Sequence, residues 1–144
     1  MSSISLNQAR TVIDGAILHA RSQNAKPLAI VVLDAGAHPV AFAREDGASL
    51  YRHDIGWAKA KGALGMGADS SVLAERAKGN PVFYQSVGAA VGGGIAFSPG
   101  GVLIRSDSGE IIGAVGISGD TGECDEACAR VGIDAAGLNK GVKA

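Results

Sequence analysis

Two pairs of short apolar runs, each pair joined by a glycine-containing turn, constrain this chain more than any other feature. Leu28–Asp34 (LAIVVLD) is apolar and β-branched, the turn Ala35-Gly36-Ala37-His38 follows, and a second run extends from Pro39 to Arg44. Val102–Arg105 and Ile111–Ser118 flank Asp107-Ser108-Gly109 in the same way. Runs so arranged read as β-hairpins. Hairpins imply antiparallel pairing and argue against the parallel βαβ units of nucleotide-binding folds. Ile95-Ala96-Phe97 reads as a further strand, and Ser98-Pro99-Gly100-Gly101 as the turn after it.

Helices surround these strands. Ser5 and Gln8 form a capping-box pattern, and Ala9, Val12, Ile13, Ala16, Ile17 and Ala20 then recur at helical spacing until Asn24 and Pro27. A second helix is expected from Ser49, as N-cap, to Met66. Tyr51, Ile55, Ala58 and Gly62 form one stripe on it, and His53, Trp57, Ala60 and Leu64 another. Small or apolar residues on both sides imply contact on both sides. A short helix follows around Ser70–Lys78, anchored by Val72 and Leu73 and closed by Asn80-Pro81. Val82–Gly94 ends in three glycines and reads as a glycine loop.

With 144 residues the chain has the length of one domain, residues 1–144, and can bury a real core. A net charge of -1 gives no reason to expect nucleic acid or an anionic membrane as partner. Charged residues make up only 19% of the chain, which suggests surface covered by further copies of it. No apolar run reaches the roughly 18–20 residues of a membrane span. The start, MSSISLNQAR, lacks the basic and apolar regions of a signal peptide, so a cytoplasmic protein is expected.

Glu110–Gly132 (EIIGAVGISGDTGECDEACARVG) reads as strand, glycine-rich turn and acidic helix start. Glycines and helix amides could cradle a phosphate. Its glycines recur every third residue, however, which is neither a dinucleotide fingerprint nor a P-loop. Asp120 and Glu123 are spaced as N-cap and N3, so a self-capped turn is the expectation. Cys124 and Cys128 lie four apart on that helix, about 5–6 Å between Cβ atoms, too far for a disulfide. No third cysteine or nearby histidine completes a metal site, and both are expected to be small core residues.

Few side chains remain to carry chemistry. His19 suits a helix C-terminus, and His38 sits in a tight turn facing solvent. His53 stands one turn from Trp57, which suits an axial haem ligand, a general base, or an interface histidine hydrogen-bonded across subunits. Lys59, on a mostly apolar helix, either has its pKa lowered by desolvation or snorkels to solvent, and snorkelling is the expectation. Arg44 and Arg105 both end strands, where a guanidinium can grip a carboxylate.

Three blocks carry a resemblance over almost the whole chain. They are Ile30–Ala43 (IVVLDAGAHPVAFA) with Asp46-Gly47-Ala48, Pro99–Ile104 (PGGVLI), and Gly113–Ala129 (GAVGISGDTGECDEACA). Together they resemble the GlcG/HbpS-like family, which includes the C-terminal domain of PduO-type proteins. The resemblance implies an α/β (α+β) fold, a profilin-like three-layer α/β/α arrangement with a five-stranded antiparallel sheet, and homo-oligomers. It also implies haem as a possible ligand, since some members bind haem and have been linked to its degradation. Asp34, Asp46, Gly47, Lys59, Gly100, Gly101, Gly116, Gly119, Asp125 and Glu126 match the family pattern, while Gly56 and Trp57 depart from it. The expectation is therefore a small oligomeric protein binding haem or a related planar carboxylate ligand, through His53, Arg44 and Arg105. The alternatives are a small catabolic enzyme acting on an organic acid, with His53 or Lys59 as acid/base, and an assembly protein without chemistry.

Overall fold

A computed structural model describes residues 2–142. In chain order the elements are α1 (Leu6–Ser22), β1 (Ala29–Asp34), β2 (Pro39–Arg44), α2 (Arg52–Met66), α3 (Ser70–Gly79), α4 (Pro81–Ala90), β3 (Gly101–Arg105), β4 (Ile111–Ser118) and α5 (Gly122–Ala135). Both expected hairpins form, and the sheet has the order β2-β1-β4-β3, antiparallel throughout. α1 and α5 pack against one face over Ile30, Val32, Val102, Ile104, Val115 and Ile117. α2 packs against the other, over Val31, Leu33, Leu103 and Ala114. The alternation of these residues along each strand is the period-2 consequence of a sheet buried on both faces.

The sheet has four strands, not the expected five. The outward N–H groups of Gly101, Leu103 and Arg105 are those to which a strand beside β3 would bond. They are taken instead by side chains: Ser70 Oγ at 2.7 Å, Asp69 Oδ1 at 2.9 Å and Asn139 Oδ1 at 2.5 Å. Asn139 Nδ2 also donates to the Leu103 carbonyl at 3.0 Å. With that edge closed, Ile95–Phe97 is held by its side chains. Ile95 lies over Gly62 of α2, and the Phe97 ring meets Tyr84 edge-on at 5.3 Å. Closing an edge with polar side chains also removes a template for unwanted strand addition.

Two helix starts differ from expectation, and one helix forms where a loop was expected. α1 has its capping box, with Ser5 Oγ accepting from Gln8 N and Gln8 Oε1 from Ser5 N. α2 starts at Arg52, not beside Ser49, whose carbonyl accepts from Arg52 N in a preceding turn. α5 is capped by Thr121, whose Oγ1 accepts from Cys124 N, because Asp120 is used elsewhere. The Asp120 carboxylate accepts from the amides of Lys26 and Thr121, both at 2.7 Å, which hold its carboxyl below the usual range. It thereby ties the start of α5 to the loop before β1. Over most of the expected glycine loop, Pro81–Ala90 forms helix α4, with Pro81 preset for the first turn; Val91, Gly92 and Gly93 then turn, the two glycines at positive φ.

The buried face of α2 is neither expected stripe. It is Gly56, Lys59, Ala60, Gly62 and Ala63. Gly56 lies directly on Gly116 of β4: a Cβ on Gly116 would overlap the Gly56 carbonyl oxygen, and one on Gly56 would stand 3.0 Å from the Gly116 oxygen. Helix backbone rests on strand backbone here. Gly116→Ala must push α2 off the sheet and should cost about 1–3 kcal/mol or more in urea unfolding. Gly65→Ala, in the same helix but with open space at its Cβ, should stabilise by roughly 0.5–1 kcal/mol. Equal effects from the two substitutions would show that the contact does not seat α2.

Candidate functional site

α2 lies over β4, β1 and β3 and leaves the same face of β2 largely uncovered, with Phe42 47% exposed. Phe42 pairs with Val31 and Arg44 with Ala29, so both point to the α2 side of the sheet at its open edge. His53 and Trp57, one turn apart on α2, flank that edge. The His53 ring meets Phe42 edge-on at 4.5 Å and Trp57 at 5.7 Å, with interplanar angles of 75° and 62°. These are favourable aromatic geometries. Phe42, Arg44, Leu50, His53 and Asp54 line a cleft of about 530 Å³. The His53 side chain is 36% exposed, and its Nδ1 faces Asp54 Oδ1 at 3.5 Å.

Two of the residues singled out from sequence, His53 and Arg44, therefore meet in one cleft. Phe42, Leu50 and Asp54 were missed. A signal for Phe42 existed, because residues two apart on a strand share a face and Phe42 stands two before Arg44. Arg105 is elsewhere. β2 and β3 are opposite edges of the sheet, and Arg44 pairs at the start of β1 whereas Arg105 pairs at the start of β4. Since β1 and β4 are antiparallel, the two arginines occupy diagonally opposite corners. Within one copy of the chain they cannot grip one ligand.

Lys59 does not snorkel. Its side chain is 3% exposed, with Nζ donating to Asp125 Oδ2 at 3.2 Å and to the Ile117 carbonyl at 2.9 Å. Asp125, equally buried on α5, accepts on its other oxygen from Asp120 N at 3.0 Å. Desolvation lowers the Lys59 pKa and raises that of Asp125, while each charge works against the shift of the other. The expected route to solvent is closed because α5 brings a carboxylate to the end of β4, where the lysine stem already lies against Gly100 and Gly101. The pair joins the helical layers on the two faces of the sheet. No substrate reaches Lys59 in this conformation.

The cysteines are unpaired; Cys128 is buried and its thiol is pushed up to about 12, chiefly by desolvation, and Cys124 is half-buried and also raised. Neither is poised as a nucleophile. Among the described residues no three histidine, cysteine or acidic side chains gather as a metal site, and no helix is long and apolar enough to cross a membrane.

The fold and cleft define a small α/β/α protein with an aromatic, cation-bearing groove between a sheet edge and a helix. The sequence model described as "Haem degrading protein HbpS-like" matches residues 4–134, and the chain belongs to this HbpS-like family. Among solved structures, HbpS is 24% identical with a TM-score of 0.81, covering 93% of this chain and 90% of that one. A PduOC–haem complex is 22% identical with a TM-score of 0.85, covering 95% and 97%. Klebsiella pneumoniae protein ORFY is 23% identical with a TM-score of 0.87, covering 95% and 92%. At these identities the likeness is one of fold. No curated protein matches the chain significantly.

The Lys59–Asp125 pair gives a stability prediction. Lys59→Met leaves a buried carboxylate without its cation and should cost about 3–5 kcal/mol in denaturant unfolding. Lys59→Met combined with Asp125→Asn removes that stranded charge, keeps an acceptor for Asp120 N, and should recover most of the loss. Strictly additive losses would mean that the two charges are not coupled.

Proposed function

We propose that this protein binds haem or a related planar, carboxylate-bearing ligand in the cleft between β2 and α2, and works as an oligomer. The observation that carries the reading is the convergence of His53, Phe42, Trp57 and Arg44 on one open edge. These residues fit such a ligand by their chemistry. Phe42 and Trp57 offer apolar ring surface, the His53 imidazole offers a nitrogen of the kind that ligates metals, and Arg44 offers a guanidinium in the cleft lining. Haem bound there would supply an iron centre; the chain's own contribution would be to orient the imidazole between Phe42 and Trp57, exclude water from one ring face and hold a carboxylate. Membership of the HbpS-like family and the fold shared with a PduOC–haem complex favour the same ligand. The alternative of acid/base turnover of an organic acid retains His53 but not Lys59, which is sealed from solvent.

Oligomer formation is supported by α4. It buries only Tyr84, and Val82, Phe83 and Val91 on and just after it are 79%, 50% and 54% exposed. A run of apolar residues left in water on one helix favours coverage by another copy of the chain. Light scattering should show a mass above that of one chain, and Val82→Asp with Phe83→Asp should lower it; a monomeric wild type refutes this part of the reading.

Haemin titration tests the ligand. The wild type should shift the Soret band saturably. His53→Ala should abolish or displace that shift, and Arg44→Gln should weaken binding about tenfold, or ~1.4 kcal/mol. A spectrum and affinity unchanged by both substitutions would remove the cleft from consideration.

A further inference from the structure

A second cleft lies at the corner diagonally opposite His53. It has a volume of about 320 Å³ and is lined by three arginines, Arg76 of α3, Arg105 of β3 and Arg130 of α5, with Asp69 the one carboxylate among the lining residues. The three guanidiniums are not equivalent. Arg130 is fixed, donating to Asp69 Oδ2 at 2.9 Å and to Glu126 Oε1 at 3.2 Å. Asp69 is committed in turn, because its other oxygen accepts from Leu103 N. Arg105 reaches only a carbonyl, that of Gly109, at 3.0 Å. Arg76 is exposed and has no hydrogen-bond or ion-pair partner among the described residues. Three positive charges are thus answered by two carboxylates, both already spent on Arg130.

The walls make this more than a charged surface. Asn139 bonds both the amide of Arg105 and the carbonyl of Leu103, so the backbone beneath the arginines is fixed. Val72, Leu103 and Val142 add apolar side chains to the same lining. Guanidiniums carried on different elements, with apolar side chains in the same lining, match carboxylates joined by a short carbon skeleton better than a compact inorganic anion. We propose that this cleft is a binding site for a small aliphatic dicarboxylate, held by Arg76 and Arg105, with Arg130 as a fixed positive wall. The proposal is independent of haem binding, since no residue lining this cleft lines the one at His53.

The test is NMR titration of the intact protein with succinate, at constant ionic strength, following the amides of Leu103, Arg105 and Asn139. Saturable shifts should appear there and not around His53. Arg76→Gln and Arg105→Gln should each weaken binding about tenfold, while Arg10→Gln, on the exposed side of α1 and outside both clefts, leaves it unchanged. Inorganic phosphate should bind more weakly than succinate. The site as proposed is overturned by an absence of saturable shifts, by shifts that persist in the Arg76→Gln/Arg105→Gln double variant, or by phosphate binding as tightly as succinate. Loss of haemin binding in His53→Ala with succinate binding intact, or the reverse, separates the fate of this site from that of the other.

Discussion

The contact on which the arrangement depends is the meeting of two backbones, Gly56 of α2 on Gly116 of β4. A helix normally stands off a sheet by the depth of a side-chain layer. Here two glycines remove that layer at the crossing point, so α2 settles onto the central strands with a narrow footprint. Two consequences follow. The buried stripe of α2 needs only small residues, Ala60 and Ala63, with Lys59 directed past the end of β4 toward Asp125. And the helix touches β2 only through its first turn, where His53 meets Phe42, so Phe42 and Arg44 remain partly open to a ligand. The opposite face uses the same device: a Cβ on Gly132 of α5 would overlap the Val12 carbonyl of α1.

The two edges of the sheet then meet opposite fates. At β3 the outward amides are closed by Ser70, Asp69 and Asn139. Each bond adds only about 0.5–1.5 kcal/mol net, but leaving such an amide buried and unpaired would cost about 1–3 kcal/mol. The closure brings Asp69 to the sheet edge, and Asp69 brings Arg130, which is how three arginines come to share one corner. At β2 no element lies beyond the strand. Its cleft forms from what α2 leaves bare, so an aromatic residue on the edge strand and a histidine on the helix can face one opening.

Local features of the chain were legible in the sequence. The hairpins, the Ser5–Gln8 capping box and the apolar face of α1 are written in residues three or four apart, or alternating, and all were found where expected. What could not be read is long-range. Nothing near Ile95 tells that Asp69, Ser70 and Asn139, more than twenty residues away, occupy the edge it would need. Nothing near Lys59 tells that Asp125, 66 residues on, lies within reach. The same limit separated Arg44 from Arg105. Both end strands, but only the strand order shows that they lie at opposite corners.

The glycine-rich stretch after β4 shows how one piece of sequence can suggest chemistry and deliver architecture. Its acids were expected to answer the helix dipole in place of a phosphate. They do bind donors, two of them distant: Asp120 takes the Lys26 amide and Asp125 takes Lys59, whereas Glu126 takes Arg130 one turn on. The first joins the start of α5 to the loop before β1 and the second joins α5 to helix α2, while the third, one turn along α5 itself, steadies the arginine that reaches Asp69. Several of these residues belong to the pattern by which the chain resembles its family, so that pattern reports chiefly how the layers are clamped together. The residues lining the His53 cleft lie mostly outside it. A ligand is therefore better argued from the cleft's aromatic, imidazole and guanidinium groups than from the signature that identifies the fold, and Trp57, a departure from that signature, stands directly beside the candidate ligand histidine.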